Sequence, residues 1–170
     1  MNYGHLGAGS TQNLLAKKLE KLTGMRMTGI PFKGTPEALQ ELVAGRLDIM
    51  VGPPLAILPF YQSRHAKVLA VTGAERIASM PDVPTLKQTG IPLVADAWLG
   101  VCAGAGTPQF RIDLLNRRIG EVVNSAQYRS LIEKSGSLAS SSTPQELQAL
   151  IEQTANDAAP IFRELGVQLD

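Results

Sequence analysis

The stretch "MTGIPFKGTPEALQELVAGRLDIMVGPP", residues 27–54, decides the fold class. It opens on a strand-like run, 27–31, and passes through Lys33, Gly34 and Thr35 into a helix over 36–44. Thr35 is placed to cap that helix, with Pro36 in its first turn and Gly45 just past its end. A second apolar run, "LDIMV" (47–51), follows directly, and Pro53 and Pro54 begin another helix reaching about Ser63. Strand and helix alternating at these lengths imply an α/β fold, a parallel sheet with helices on both faces.

The pattern extends in both directions. Upstream, residues 2–6 form a short strand and 11–22 a helix with Leu15, Leu19 and Leu22 on one face, ended by Gly24. Downstream, "KVLAVT" (67–72) is expected to be a fourth strand. From Gly73 to Gly90 the pattern is irregular, with "MPDVPT" (80–85) an extended turn before a short helix over 85–89. An apolar run over 93–103 carries the single tryptophan, Trp98. Helices are then expected over 109–123, with Leu115, Ile119 and Val122 on one face, and over 127–134. The last helix is capped by Thr143 and starts at Pro144, with Leu147, Ile151, Ala158 and Leu165 as its stripe and a kink expected at Pro160. The composition shifts near Pro92–Trp98, which divides the chain into lobes 1–94 and 95–170.

Composition excludes several classes of function. Sixteen basic residues balance 15 acidic ones in a chain 44% hydrophobic, so the broad positive field of a nucleic-acid binder is lacking. Apolar runs fall short of the roughly 20 residues a membrane span requires. The first residues show no basic segment followed by an apolar core, so no signal peptide is visible. No cysteine–histidine cluster has metal-site spacing, and no cofactor is implied. The lone Cys102, in "WLGVCAGAG", is expected to be a buried structural thiol.

The chemistry concentrates in loops that follow the strands. Gly7-Ala8-Gly9-Ser10-Thr11 lies between the first strand and its helix. A dinucleotide fingerprint requires a third glycine where Gln12 stands, and an acid ending the next strand, where "MTGIPF" has none. A phosphate loop ending in Gly-Lys-Ser/Thr is also absent. What remains is a glycine turn opening a helix, whose free N–H groups and hydroxyls suit a carboxylate. The alternative is that Ser10 or Thr11 simply caps the helix. In a parallel sheet the Lys33-Gly34-Thr35 loop, "VGPPLAI" and "VTGAER" reach the same carboxyl edge, where α/β folds bind small ligands.

A hydrolase would need Ser10, His5 or His65, and Asp48 to come together. Ser10 is outside a G-x-S-x-G elbow, His65 lies in a polar turn, and Asp48 is placed to cap a backbone turn. No catalytic residue is assigned.

With these motifs in order, the chain resembles the Bug family, the substrate-binding proteins of tripartite tricarboxylate transporters. The resemblance is carried by "NYGHLGAGST", "IPFKGTPEALQELVAGRLDIM", "KVLAVTGAERIASMPDVPTLKQTGIP", "WLGVCAGAGTP" and the terminal "LGV". It implies a type II periplasmic binding-protein fold, with residues 1–94 the second lobe and 95–170 the returning part of an incomplete first lobe. It further implies a periplasmic receptor, without catalytic activity, for a mono-, di- or tricarboxylate or an aromatic acid, delivering it to membrane transporter subunits. In that reading Gly7, Ala8, Gly9, Ser10 and Thr11 hold the carboxylate, Lys33, Gly34 and Thr35 lie beside it, and Asp48 and Thr72 face the cleft. The sequence departs from the family at His5, where a small residue is usual, at Gln12-Asn13, and near Ala158, where a tryptophan is missing. Further residues of the first lobe would precede Met1. The helices past Trp98 are therefore expected to leave apolar faces uncovered and to drive homo-oligomer formation. A ligand-sensing regulatory module of the same fold is the alternative function.

Overall fold

The computed structural model describes residues 1–164. Three parallel strands, β1 (Asn2–His5), β2 (Thr28–Pro31) and β3 (Ile49–Met50), form a sheet in the order β2-β1-β3. Asn2 pairs with Thr28 and His5 with Pro31 on one side, and Tyr3 with Ile49 on the other. The helices are α1 (Thr11–Thr23), α2 (Thr35–Val43), α3 (Pro54–Gln62), α4 (Gln109–Val123), α5 (Ala126–Lys134) and α6 (Pro144–Glu164).

The strand order sets the helix positions. The chain moves outward from β1 to β2, then back across β1 to β3. Right-handed crossovers then place α1 on one face and α2 on the other. Tyr3, Leu15, Ala16, Leu19, Met27 and Leu93 form the core on the α1 face. Gly4 faces α2, where an added Cβ would stand 2.9 Å from the Leu47 side chain and 3.3 Å from Ala38. Glycine there lets α2 lie close on the sheet. A second core, Val71, Met80 and Val83, packs with Leu58 and Tyr61 beneath α3.

Helix boundaries follow local signals. Gly24 ends α1 in the left-handed conformation at φ 73°. Pro53 precedes α3 and Ser63 closes it. At α6, Thr143 Oγ1 accepts the Glu146 N–H at 3.2 Å while the Glu146 carboxylate accepts the Thr143 N–H at 2.7 Å, a reciprocal cap. The helix continues through Pro160, and Leu165 and "LGV" lie outside the described residues.

Several sequence expectations are corrected. Thr35 is the first residue of α2 rather than its cap; Gly34 is the N-cap, and the Glu37 carboxylate reaches back to the Lys33 N–H at 3.1 Å. The third strand shrinks to two residues because Leu47 N–H is still closing the α2 terminus on Glu41 O. Residues 67–72 do not join the sheet. Val71 bridges Thr85 instead, bonding Pro84 O and Leu86 N, and the Thr72 carbonyl accepts from Ala95. Leu22 is 47% exposed, off the buried α1 stripe of Leu15 and Leu19. Cys102 is exposed: the 93–103 run enters the core at Leu93 and meets α6 at Trp98 and Gly100, but 101–103 lie outside these contacts.

The apolar residues beyond Ala95 are mostly uncovered. Leu99, Val101, Phe110, Leu115, Val122 and Leu131 are each at least half exposed, and α4 and α5 bury no residue. Among the described helices of this part only α6 returns to the main core: Ala158 and Ile161 are buried, and Glu164 pairs with Lys21 of α1. Such a face favours association in water. At micromolar concentration the isolated chain is expected to self-associate by light scattering, and a stable monomer would count against this.

Glu20 ties α1 to β2 by accepting the Met27 N–H at 2.7 Å while pairing with Lys17. Burial alone would raise its carboxyl, but the Lys17 ammonium and the Met27 N–H outweigh it and hold the group below the ordinary glutamate range. Its stabilisation is therefore complete at neutral pH and is lost as pH falls from the ordinary value through the lowered one. Urea titrations from pH 7 to pH 3 are expected to show this slope, and Glu20→Gln to flatten it.

Candidate functional site

The carboxyl ends of the three strands lead into three helix N-termini, at Ser10, Gly34 and Pro53. The loops after β1 and β3 diverge to opposite faces, because α1 and α2–α3 lie on opposite sides of the sheet. A crevice opens at such a point in open α/β sheets, and ligands occupy it.

The glycine loop is built from internal hydrogen bonds. Gly7 turns the chain at φ 114°, a conformation that favours glycine. Its carbonyl accepts from the Ser10 N–H at 3.1 Å and from the Ser10 hydroxyl at 2.8 Å. Ser10 Oγ in turn accepts from Leu6 N at 3.3 Å and from Asn13 N at 3.4 Å. Ser10 is thus the N-cap of α1, and its hydroxyl is fully engaged within the loop. Ala8, Gly9 and Thr11 are exposed at the loop surface. The N–H groups of Thr11 and Gln12 open the helix, where no intrahelical acceptor exists.

Asn13 holds this loop from behind. Only 6% exposed, it accepts from the Tyr3 hydroxyl and donates from Nδ2 to the Ala8 carbonyl at 2.6 Å. Burial, the largest influence, raises the Tyr3 hydroxyl above its ordinary value, so it stays a neutral donor. Sequence reading marked Gln12-Asn13 only as a departure, since the partners, ten and five residues away, are joined by the fold alone. Lys17 lies 5.9 Å over the Tyr3 ring, adding a cation behind the same network.

His5 completes the loop base. Its Nδ1 lies 3.1 Å from the Gly7 nitrogen and 3.0 Å from the Gly7 oxygen, and its ring is tilted against Tyr3 at 5.6 Å. Both rings lie over Gly29 of β2, where an added Cβ would be 2.8 Å from the Tyr3 hydroxyl and 2.9 Å from the His5 ring.

The other expected site residues divide clearly. Gly34 is half-buried, and Lys33 is exposed on the loop after β2, adjacent to β1 because Phe32 N bonds His5 O at 2.8 Å. Thr35 starts α2 beside Glu37, whose carboxylate occupies that end. By contrast, α1 has no acid in its first turn. Asp48 lies at the other edge: its carboxylate accepts the Asn2 N–H at 2.6 Å, at the start of β1, so it does not reach the glycine loop. Thr72 is half-buried on the segment carrying the Val71 bridge. His65 bonds Ser63 in the turn after α3, so Ser10, His65 and Asp48 do not assemble.

A further close approach was not legible in sequence. At the end of α5, Gly136 has φ 79°, and a Cβ there would stand 2.9 Å from Pro54 and 3.0 Å from Ser79. The C-terminal part thus abuts the start of α3 at the β3 side of the crevice.

A family model for the tripartite tricarboxylate transporter family receptor matches residues 1–167. Among curated relatives, BugT of Bordetella pertussis is 30% identical over 162 residues, covering 95% of this chain and 50% of that protein. A protein encoded in the gbd 5′ region of Cupriavidus necator is 26% identical, covering 98% and 51%. The chain spans about half the length of the curated relatives it matches. Among solved structures, R. palustris Rpa4515 with adipate has TM-score 0.91 and 26% identity, covering 98% of this chain and 56% of that one. MatC of Rhodopseudomonas palustris with bound malate has TM-score 0.78 and 28% identity, covering 99% and 57%. The periplasmic binding protein BugD has TM-score 0.87 and 25% identity, with the same coverage. The fold is that of these binding proteins.

Asn13→Ala would leave the buried Tyr3 hydroxyl and the Ala8 carbonyl without their partner, a loss of about 1–3 kcal/mol. Urea denaturation is expected to show this, and an unchanged midpoint would mean that Asn13 does not hold the loop.

Proposed function

We propose that this chain, which belongs to the tripartite tricarboxylate transporter receptor family, forms one wall of a carboxylate-binding cleft in a transport receptor. The carboxylate is held at the α1 N-terminus by backbone N–H groups of the 8–12 segment, within the positive end of the helix dipole. One observation carries this reading: α1 opens at the crevice with no acid in its first turn, on a loop fixed from behind by Asn13. The α2 N-terminus, where Glu37 turns back to Lys33, is the weaker anion site, and Lys33 contributes long-range attraction from beside the loop.

The ligand class follows from relatives of the same fold that hold adipate and malate, both small dicarboxylates. In this reading residues 1–94 supply one lobe of a periplasmic receptor, and residues 95–170 belong to the other. The receptor delivers its ligand to membrane transporter subunits and catalyses no reaction. No helix among the described residues is long and apolar enough to cross a membrane. A serine hydrolase has no support, since the Ser10 hydroxyl donates to Gly7 O and neither His65 nor Asp48 is near it.

Thermal denaturation with adipate, malate, citrate and benzoate tests the reading. A ligand at about 100 times its Kd stabilises the native state by about 2.7 kcal/mol. At least one of these acids is expected to raise the midpoint progressively with concentration. No shift with any of the four would overturn the proposal.

A further inference from the structure

We infer that His5 is the proton-responsive residue of this carboxylate site: protonation at Nδ1 moves its hydrogen bond from the Gly7 N–H to the Gly7 carbonyl, adds a positive charge at the loop base and frees the Ser10 hydroxyl to turn toward the anion. The inference rests on the glycine loop being the carboxylate site.

One ring nitrogen faces both polar atoms of one residue, Gly7 N at 3.1 Å and Gly7 O at 3.0 Å. It carries either a lone pair or a proton, so it serves one at a time. In the neutral ring with its proton on Nε2, Nδ1 accepts the Gly7 N–H. The Gly7 carbonyl is then filled by the Ser10 N–H and the Ser10 hydroxyl. The Gly7 N–H and the Gly7 carbonyl both have partners.

In the imidazolium, Nδ1 carries a proton and must donate. The Gly7 carbonyl is the acceptor in reach, and the Gly7 N–H loses its partner. That carbonyl now faces three donors with two lone pairs, and the freely rotating Ser10 hydroxyl is the one displaced. Ser10 Oγ keeps its role as acceptor from Leu6 and Asn13, so the helix cap survives. The net change is one positive charge at an already positive helix end and a Ser10 hydroxyl free to turn toward a bound carboxylate. Both favour the anion.

The charged groups around the ring are of both signs. On its own strand it meets Tyr3, which the burial of its hydroxyl keeps neutral. On α1, beyond Tyr3, Lys17 and Glu20 pair with each other. On β2 it meets the Gly29 backbone, and the loop after β2 carries Lys33 and Glu37, one of each sign. Imidazole is the side chain that changes charge between pH 5 and 8. By linkage, anion binding raises the proton affinity of His5 as much as protonation raises anion affinity.

Two measurements on the whole chain test this. Without ligand, ring ¹⁵N shifts and Gly7 amide exchange are followed by NMR from pH 5 to 8. The neutral ring is expected to carry its proton on Nε2, and Gly7 protection to disappear with the midpoint of the His5 titration. A Gly7 amide indifferent to that titration would overturn the inference. With malate and adipate as probes, binding to the wild type is expected to be roughly fivefold tighter at pH 6 than at pH 8, relative to His5→Gln, which cancels the ligands' own titration. Equal pH dependence in the two proteins would overturn the switch and leave the site standing. Absent binding at both pH values, with the Gly7 response intact, would overturn the site and leave the His5–Gly7 exchange standing.

Discussion

The molecule depends on one four-residue strand hydrogen-bonded along both edges. Among the described residues β1 is the only strand with neighbours on both sides, so it fixes the height of the loops that follow it and its partners. Its alternation assigns the two faces: Tyr3 and His5 look toward α1, and Gly4 yields room to α2. The chain crosses this strand between β2 and β3, and that reversal, more than any side chain, opens the crevice at the carboxyl edge.

Much of this was legible in the sequence because the signals are local. Pro53 and Pro54, Gly24, Gly45 and the Thr143–Glu146 pair each constrain a helix end within a few residues. The family resemblance, carried by long motifs such as "KGTPEALQELVAGRLDIM", pointed to the same receptor fold that the comparisons show. What was missed depends on pairing at a distance. The apolar run 67–72 has the composition of a strand, but its hydrogen bonds go to 84–86. Asp48 sits in the right run of sequence and at the wrong end of the strand, since its carboxylate meets Asn2. Cys102 looks buried from its apolar neighbours and is exposed, because the run meets α6 at Trp98 and Gly100 and leaves 101–103 outside that contact.

The site shows the same division. The glycine loop and its cap were visible as residue types in order. Whether the Ser10 hydroxyl faces a ligand or its own loop was not, because the Gly7 carbonyl claims it only once φ at Gly7 is set. Asn13 was invisible as a support for a similar reason: its partners are a tyrosine on the preceding strand and a carbonyl in the loop. The uncovered faces of α4 and α5 accompany a chain about half as long as its relatives, and among the described residues that region is tied to the rest through α6 and the close approach at Gly136.

Gly29 has a consequence for how such chains diverge. Two aromatic rings from β1 lie across its backbone, leaving no space for a Cβ. A smaller residue at 5 would remove one ring and leave the Tyr3 hydroxyl 2.8 Å from the same Cβ, so Tyr3 and His5 each hold position 29 to glycine. Histidine at 5 therefore depends on glycine at 29, whereas the demand for glycine at 29 persists with or without the histidine for as long as Tyr3 is kept.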